Sequence, residues 1–404
     1  MTISADDNCQ SDIRQNPQID TLTVDSITIL PYPEFINIKS NIIELNGADW
    51  SNLSHDLKLL DSLPFTIVHI GDSHLQADMA TAELRTTLST HYGKQRGRGL
   101  IIPFRLAGTN EPRDYHIISS SDFMQSRLLG SYSTTSTGFT GIGIQPLSNL
   151  FELNIRTKEQ FDALIIYYTG SNLRLKSAIN CNDSISCISY TGDRTLSVVF
   201  PDPLDAVTLN LEANDGTTIH GINAELDYTG LAYHVIGNNG AEFASYCKLK
   251  NFGQEVTLLS PDLIIISLGT NEAFGKFDKV AIRKQLNTLV KDLKENNPRS
   301  CLLLTTPSEC QRSKGRRRKH SYYVNENIKL VRDIIIEYGK DNSIPTYDWY
   351  EIAGGNGSSA KWFDSKLLGA DRIHMTQQGY QINGKLIADA LINALTINSM
   401  PIDQ

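Results

Sequence analysis

The sequence predicts an α/β fold in which a three-layer parallel sheet carries an inserted all-β sandwich module. Toward both ends of the chain, apolar runs are followed by helical patterns, as in parallel sheets that helices cover on both faces. Between them, short alternating runs separated by Gly, Asp, Asn and Pro offer no convincing helix, which indicates an insertion. We therefore divide the chain into an N-terminal lead-in (1–60), two parts of the α/β domain (61–108 and 233–404) and the inserted β-rich module (109–232).

The first α/β unit follows the lead-in, which starts polar and ends in a predicted helix near residues 49–62. The run FTIVHIG, residues 65–71, is apolar on both faces and predicts a buried strand. In the next segment, ADMATAELRTTLSTHYG, Met79, Leu84 and Leu88 recur at roughly helical spacing, and Gly93 is a suitable helix end. A strand followed by a helix is the beginning expected of an α/β sheet.

The inserted module is predicted from the runs FDALIIYYTG, LRLKSAIN, TLSVVF, AVTLNLEA and IHGINAELDY. Cys181 and Cys187 either close a short hairpin disulfide, which would imply an oxidising compartment, or are small buried side chains. Tyr167, Tyr168 and Tyr190 either stack on sugar rings or form core and cross-strand pairs, which is the more frequent role of such residues.

The α/β pattern returns with LAYHVIG, DLIIISLG and SCLLLTTP as buried strands, followed by helical patterns such as FDKVAIRKQLNTLVKDLKENN. The last helix, TQQGYQINGKLIADALINAL, places Ile382, Leu386, Leu391 and Leu395 broadly on one face despite an internal Gly384. Strands that alternate with helices predict the parallel sheet of the fold class given above.

Composition and charge argue against several classes of protein. The 404-residue chain carries a formal net charge of −8, whereas a general nucleic-acid binder normally presents a basic face. No run of eighteen or more apolar residues occurs, so no transmembrane helix is expected. The six cysteines lack the spacing of a zinc site and no H-E-x-x-H occurs, so neither a metal nor a cofactor is expected.

The first residues, MTISADDNCQ, lack a basic segment followed by an apolar one, so the sequence as given predicts no secretory signal. Two interpretations stay open at this point. Either the protein is cytoplasmic, or a signal has been removed.

The stretch IVHIGDSHLQAD, residues 67–78, ends the first buried strand with Gly, Asp, Ser and His. Asp and Ser are both common helix N-caps, and taken alone these four residues favour that structural role. Ser73 becomes a candidate nucleophile only if the sequence supplies its partners elsewhere. Asp72 is expected to fix the loop as a hydrogen-bond acceptor rather than to act in catalysis. An α/β-hydrolase is disfavoured, because its Gly-x-Ser-x-Gly turn would need glycine where Leu75 stands.

Three further motifs fall at the carboxyl ends of predicted strands, where open α/β sheets place their ligands. HVIGNNGAEF contains Gly240, IISLGTNEAFG contains Asn271, and DRIHMTQQGY contains Asp371 and His374. In this order after Gly-Asp-Ser, they resemble the four blocks of the SGNH (GDSL-type) hydrolase superfamily, which implies its flavodoxin-like fold. The resemblance covers roughly residues 60–108 and 233–396. It departs from the family name at His74, which replaces Leu and leaves the neighbouring packing open.

The resemblance implies a role for each of these residues. Ser73 corresponds to the nucleophile, His374 to its base and Asp371 to the group that orients the base, while Gly240 and Asn271 correspond to oxyanion-hole donors. The chemistry agrees, because a serine hydroxyl needs an adjacent base and a histidine with a pKa near 6.5 suits that task. Donors aimed at an oxyanion are each worth roughly 3 to 4 kcal/mol. The sequence therefore predicts a serine esterase that forms an acyl-enzyme on Ser73.

The expected substrate rests on a narrower resemblance. Residues 71–104, followed by TNEPRDY, look like SGNH esterases of bacterial envelopes that include peptidoglycan O-acetylesterases. In such enzymes a module resembling a carbohydrate-binding module lies between the first and second blocks, as the β-rich stretch does here. This implies an O-acetylated glycan, foremost peptidoglycan, and a periplasmic or cell-envelope location. The alternatives are O-acetyl esters of another polysaccharide such as xylan, a lipid or thioester, or a non-catalytic glycan-binding protein.

One dense run of charge, KGRRRKH at residues 314–320, follows the strand SCLLLTTP. It is either a solvated loop that balances an acidic chain, the more frequent case, or a site for the carboxylate of muramic acid or a uronic acid. The second interpretation rests on arginine, whose planar fork matches a carboxylate.

Overall fold

A computed structural model of the chain describes residues 32–130, 136–226, 229–315 and 321–397. The start of the predicted lead-in and most of the basic run at 314–320 lie outside the described residues.

The described strands have the following bounds in chain order: β1 (Ile43–Glu44), β2 (Pro64–Gly71), β3 (Gly99–Ile101), β4 (Tyr115–Ile118), β5 (Phe123–Arg127), β6 (Ile142–Pro146), β7 (Leu150–Thr169), β8 (Leu173–Asn180), β9 (Asp183–Ile185), β10 (Ile188–Thr191), β11 (Thr195–Ala213), β12 (Thr218–Glu225), β13 (Gly230–Gly237), β14 (Leu263–Ser267), β15 (Cys301–Thr305), β16 (Gln311–Lys314), β17 (Ser321–Val324) and β18 (Thr346–Tyr347).

The described α-helices are α1 (Ser51–Asp56), α2 (Ser73–Gln76), α3 (Met79–Tyr92), α4 (Phe243–Tyr246), α5 (Phe252–Val256), α6 (Lys279–Asn296), α7 (Asn327–Asp341), α8 (Trp349–Ile352), α9 (Ser358–Asp364) and α10 (Gln377–Ile397). Short 3₁₀ turns occur at Ile38–Ser40, Leu57–Leu59 and Thr257–Leu259.

The α/β sheet has six strands in the order β1-β18-β15-β14-β2-β13. The pairs from β13 to β18 are parallel, and the two-residue strand β1 adds an antiparallel edge. β2 and β13 are neighbours although the whole β-rich module lies between them in the chain. The predicted α/β fold class is confirmed, since a parallel sheet is accompanied by additional antiparallel strands. The inserted sandwich module stays a prediction.

Alternate side chains of the sheet enter two different cores, which makes the domain three-layered. Ile67 of β2 packs with Leu84 of α3 and Leu391 of α10 on one face. Val68 belongs to the core of the other face, together with Leu286 of α6. Burial on both faces explains why the strand sequences show no polar alternation.

The helices α3 and α10 pack closely at Gly384, the glycine inside the last predicted helix. A Cβ atom at this position would overlap the carbonyl oxygen of Ala80. The small residue therefore permits the close helix contact, which offsets its weaker helix propensity.

Nine described strands of the module, β4 to β12, join β3 in one continuous hydrogen-bonded antiparallel sheet, in which β7 and β11 are the long central pair. The runs TLSVVF and AVTLNLEA were predicted as separate strands, and this was wrong because both belong to β11. Register shifts on either side of Leu204 interrupt the ladder next to Pro201 and Pro203. Prolines lack a backbone N–H, so such an irregularity is where a strand tolerates them.

The module and the α/β domain share a core rather than meeting at a polar boundary. Ile222 of β12 belongs to the same buried cluster as Val68 of β2. β3, whose residues precede position 109, pairs with β12 inside the ten-stranded sheet. The domain boundaries drawn at 60, 108 and 232 stay predictions.

Cys181 and Cys187 are free thiols, so the hairpin disulfide is not formed in this structure. Cys181 is exposed, which also contradicts the alternative of a buried side chain. With Asn182 it makes the two-residue turn between β8 and β9, with φ values of 47° and 70°. Two positive φ values in a two-residue loop are typical of a type I′ hairpin.

Candidate active site

Ser73 is held at the turn between β2 and α2, as the first residue of the helix. Asp72 caps this helix, because its carboxylate accepts a hydrogen bond of 2.9 Å from the backbone N–H of His74. The N-cap role that the motif favoured is therefore filled by Asp72, as expected of a residue that fixes the loop. This leaves the hydroxyl of Ser73 available for another partner.

The partner of Ser73 is His374, in the loop that precedes α10. The Oγ of Ser73 lies 2.8 Å from the Nε2 of His374. On the other side of the ring, Nδ1 lies 2.6 Å from the Oδ2 of Asp371. The second carboxylate oxygen of Asp371 accepts 3.0 Å hydrogen bonds from the backbone N–H groups of Ile373 and His374. The loop thus holds base and carboxylate in one fixed geometry.

These contacts decide the charge of Asp371 and the tautomer of His374. Partial burial alone would raise the pKa of Asp371, but the hydrogen bonds from the His374 ring and from the two backbone N–H groups lower it below its ordinary value. Because an ionised carboxylate accepts hydrogen bonds only, Nδ1 of His374 donates to it and Nε2 is left as the acceptor for the Ser73 hydroxyl. The arrangement can therefore remove a proton from Ser73.

Gly240 and Asn271 follow the two neighbours of β2 in the sheet, namely β13 and β14. Gly240 has a φ of 78°, a region that glycine adopts without strain. The side-chain amide of Asn271 donates to the carbonyl oxygen of Ala241 at 3.0 Å and to Asp72 at 3.3 Å. Within the described residues, the backbone N–H groups of Ser73 and Gly240 donate to no acceptor. Both remain available to an oxygen atom of a ligand.

A residue pair that the sequence did not point to lies beside the base. The Tyr380 hydroxyl of α10 lies 3.0 Å from the Nδ1 of His74, and the rings of His74 and His374 have centroids 5.1 Å apart. Burial lowers the pKa of His74, so its ring is neutral near pH 7. His74, which stands where the family name has Leu, thus places a neutral ring against His374, the candidate base. The signal for Tyr380 was its place in the motif DRIHMTQQGY.

A second missed feature is a network of amides on the module side of the site. The side-chain nitrogen of Gln76 donates to the carbonyl oxygen of Asn110 at 2.9 Å. Its oxygen accepts a 2.8 Å bond from the backbone N–H of Asn239, the neighbour of Gly240. The network ties the chain entering the module to the Gly240 loop.

Of the three tyrosines proposed for sugar stacking, Tyr167 and Tyr168 are buried, so they form core contacts instead. Tyr190 is 61% exposed on β10, next to Ile188 on the same face of the strand. β17, which pairs with β16, contacts the Asp371 loop through the Tyr322 hydroxyl, which donates to the carbonyl oxygen of Ala370 at 3.1 Å.

Comparison with known proteins identifies the chain at the level of a family. Residues 191–382 match the family model of the GDSL-like Lipase/Acylhydrolase family. These residues therefore belong to a GDSL/SGNH hydrolase family domain. This acylhydrolase is a carboxylic ester hydrolase, as the sequence predicted. The matched range contains the motifs with Gly240, Asn271 and His374 and begins within the predicted module, whereas the Gly-Asp-Ser motif precedes it.

The chain shares its fold with a solved structure. The hydrolase is 18% identical to a structure described as a peptidoglycan O-acetylesterase in action, with a TM-score of 0.70 over 88% of this chain and 98% of that chain. A lipase/acylhydrolase from Enterococcus faecalis is 23% identical, with a TM-score of 0.31 over 41% of this chain and 77% of that chain. A GDSL-like lipase from Bacteroides thetaiotaomicron is 22% identical, with a TM-score of 0.32 over 40% of this chain and 76% of that chain. No curated protein matches the chain.

Two further properties apply to the described part of the hydrolase. None of its helices there combines the length and apolar character needed to span a membrane. Nor do any three or more His, Cys, Asp or Glu side chains in these residues form a group suited to a metal ion.

Proposed function

We propose that this hydrolase is a serine esterase that removes O-acetyl groups from a cell-envelope carbohydrate, with O-acetylated peptidoglycan as its substrate. The observation that carries the proposal is the hydrogen-bonded series from Ser73 through His374 to Asp371, with distances of 2.8 and 2.6 Å. Such a series is the usual means of making a serine hydroxyl nucleophilic near neutral pH.

In the first half-reaction, Oγ of Ser73 attacks the carbonyl carbon of the acetyl ester and its proton passes to Nε2 of His374. The carbonyl oxygen becomes an oxyanion, for which the backbone N–H groups of Ser73 and Gly240 and the Asn271 amide are the proposed donors. The longer contact of Asn271, to Asp72, is the one that the oxyanion replaces. When the tetrahedral intermediate breaks down, His374 returns the proton to the sugar oxygen, which leaves as the free hydroxyl.

In the second half-reaction, a water molecule attacks the acetyl group on Ser73 and gives its proton to His374. The products are acetate and the restored serine hydroxyl, which recovers the proton from His374. Asp371 stays ionised throughout, and its charge stabilises the imidazolium that forms twice in each cycle.

The substrate is supported by the extent of the structural likeness. The likeness to the structure described as a peptidoglycan O-acetylesterase covers 88% of this chain, so it includes much of the β-rich module as well as the α/β domain. The exposed Tyr190 on the module offers an aromatic face of the kind that stacks on sugar rings. We place the protein in the periplasm or cell envelope, where such a glycan is found.

The test is acetate release by the unmutated and Ser73→Ala proteins from O-acetylated peptidoglycan, O-acetylated xylan and an aryl acetate. We expect Ser73-dependent release that prefers peptidoglycan, with Ser73→Ala folded and at least three orders of magnitude slower. A preference for xylan would contradict peptidoglycan as the substrate and would make xylan the proposed glycan instead. Cleavage of the aryl acetate alone would contradict the glycan substrate but leave the esterase chemistry, and unchanged activity of Ser73→Ala would contradict the mechanism.

A further inference from the structure

Glu272 is a buried carboxyl group that the mechanism above does not use. It directly follows Asn271 at the carboxyl end of β14, and only 5% of its surface is exposed. Its Oε1 accepts a 2.7 Å hydrogen bond from the backbone N–H of Phe243. Its Oε2 is buried and has no hydrogen-bond partner among the described residues. A buried carboxyl group with one free oxygen is costly for a fold and calls for a physical reason.

The contacts of Glu272 join the two loops that carry the proposed oxyanion donors. Phe243 begins α4, shortly after Gly240 in the chain. The neighbouring Asn271 amide donates to the carbonyl oxygen of Ala241 in the same segment. Glu272 and Asn271 therefore tie the Gly240 loop to the end of β14 by two adjacent hydrogen bonds. Displacement of either loop by a fraction of an ångström would misdirect a donor.

The surroundings of Glu272 also determine its charge. Burial is the main cause that raises its pKa to about 8, and the negative charges of Asp72 and Glu242 raise it further. The hydrogen bond from Phe243 opposes this shift without cancelling it. The carboxyl group is thus mainly protonated at pH 7. An ionised Glu272 would place a negative charge beside the site where the oxyanion develops and would oppose it.

We propose that Glu272 is a positioning residue of the oxyanion hole, which holds the Gly240 and Asn271 loops together. This inference rests on the proposed function, because it assigns Glu272 a task only if an oxyanion forms at Ser73. It predicts that the amide of glutamine can replace the protonated carboxyl group, since its oxygen can accept the same bond from Phe243.

The experiment compares Glu272→Gln, Glu272→Ala and the unmutated protein in kcat and KM for 4-nitrophenyl acetate between pH 6 and 10. Glu255→Gln is the matched control, because Glu255 is also buried but pairs with Arg194. We expect Glu272→Ala to lower kcat at pH 7 by about 10- to 100-fold with KM changed less than about threefold. Glu272→Gln should stay within about threefold of the unmutated protein at pH 7.

The pH profile separates a positioning role from a merely structural one. In the unmutated protein and in Glu255→Gln, kcat should fall as pH rises past about 8. Glu272→Gln should lack this fall. If Glu272→Gln retains the fall, or is as impaired as a folded Glu272→Ala, the inference is wrong. If Glu272→Ala does not fold, the dependence of kcat on pH in Glu272→Gln is enough to test the inference.

A second measurement keeps this inference distinguishable from the proposed function. The rate at which a fluorophosphonate labels Ser73 needs the nucleophile and the oxyanion donors but no acetyl ester. We expect labelling to slow in Glu272→Ala and to be nearly normal in Glu272→Gln. No labelling of the unmutated protein would contradict the proposed function and this inference together. Normal labelling of all variants would contradict the inference alone.

Discussion

The Oγ of Ser73 lies 2.8 Å from the Nε2 of His374, although the two residues are 301 positions apart in the chain. Ser73 follows the central strand β2, whereas His374 belongs to a loop between helices. In this loop the carboxylate of Asp371 accepts hydrogen bonds from the backbone N–H groups of Ile373 and His374. Asp371 and His374 are each about half exposed, with side-chain exposures of 49% and 42%. The Asp371–His374 pair therefore lies at an open surface, where water weakens the field of the carboxylate.

Asp371→Asn tests this relationship. Asparagine keeps the shape of the side chain but loses the charge that stabilises the imidazolium and selects the tautomer. A buried triad aspartate changed in this way costs about 10⁴-fold in kcat, and since Asp371 is half exposed we expect about 10²- to 10³-fold. The measurement is kcat for an aryl acetate, with Asp202→Asn on the exposed surface of the module as the control. A loss below tenfold would show that Asp371 does not orient the base.

Gly240→Ala tests the backbone geometry of the second proposed donor. The φ of 78° at Gly240 disfavours any side chain, and an added Cβ would lie 3.3 Å from the Cδ1 of Leu129 in the module. We expect a loss of about 1 to 2 kcal/mol in the free energy of unfolding, and at least a tenfold loss of kcat because the N–H turns away.

Gly216→Ala is the matched control for Gly240→Ala. Gly216 has a φ of 81° in a turn of the module, and nothing lies within 4 Å of its added Cβ. It should lose a similar free energy of unfolding with unchanged kcat. Equal loss of kcat in both variants would show that strain in general, rather than the donor at Gly240, reduces activity.

The sequence predicted best what is determined locally. Buried strands lack polar alternation, helices follow them, and Ser73, Gly240 and Asn271 stand shortly after strands, so parallel pairing brings these three to one edge of the sheet. The expectation that the motif with Asp371 and His374 also ends a strand was wrong, because this loop follows α9. Contacts between segments that are distant in the chain could not be predicted from the sequence in this way. The bond from Tyr380 to His74, the Gln76 network and the uncharged Glu272 depend on which loops meet, which spacing along one chain does not reveal.

In the β-rich module, too, contacts between distant segments determine a feature that the local sequence did not predict. Turn residues predicted a break at Pro201 and Pro203, and proline does end most strands. In β11 the strand continues because the ladder is already irregular on either side of Leu204. Tertiary pairing along β7 outweighs the local preference there.

Asp78→Asn tests a group of buried charges within the first part of the α/β domain. Asp78 pairs with Arg85 at 2.8 Å and also with Arg98, and all three side chains are almost fully buried. Removing the carboxylate leaves two buried guanidinium groups with less compensation, so we expect a loss of about 3 to 5 kcal/mol in the free energy of unfolding. Glu337→Gln, which breaks an exposed pair with Lys279, should cost less than about 1 kcal/mol. Urea unfolding measures both, and equal losses would mean that burial adds nothing to the Asp78 pairs.

Glu272→Gln has a consequence for stability that does not depend on any substrate. The folded protein keeps the proton of Glu272 up to a pKa of about 8, whereas the ordinary value of 4.5 applies to the unfolded chain. Between these values the folded state binds one more proton, so the free energy of unfolding falls as pH rises, by up to about 1.4 kcal/mol per pH unit from this group. Above about pH 8 the effect levels off.

Glutamine does not titrate, so the difference in unfolding free energy between Glu272→Gln and the unmutated protein should increase in favour of the variant from pH 5 to pH 8. Urea unfolding at several pH values measures this difference, and other titrating groups cancel because both proteins contain them. A pH-independent difference for Glu272→Gln would mean that Glu272 is ionised in the folded protein at neutral pH. The uncharged oxyanion hole proposed above would then be wrong.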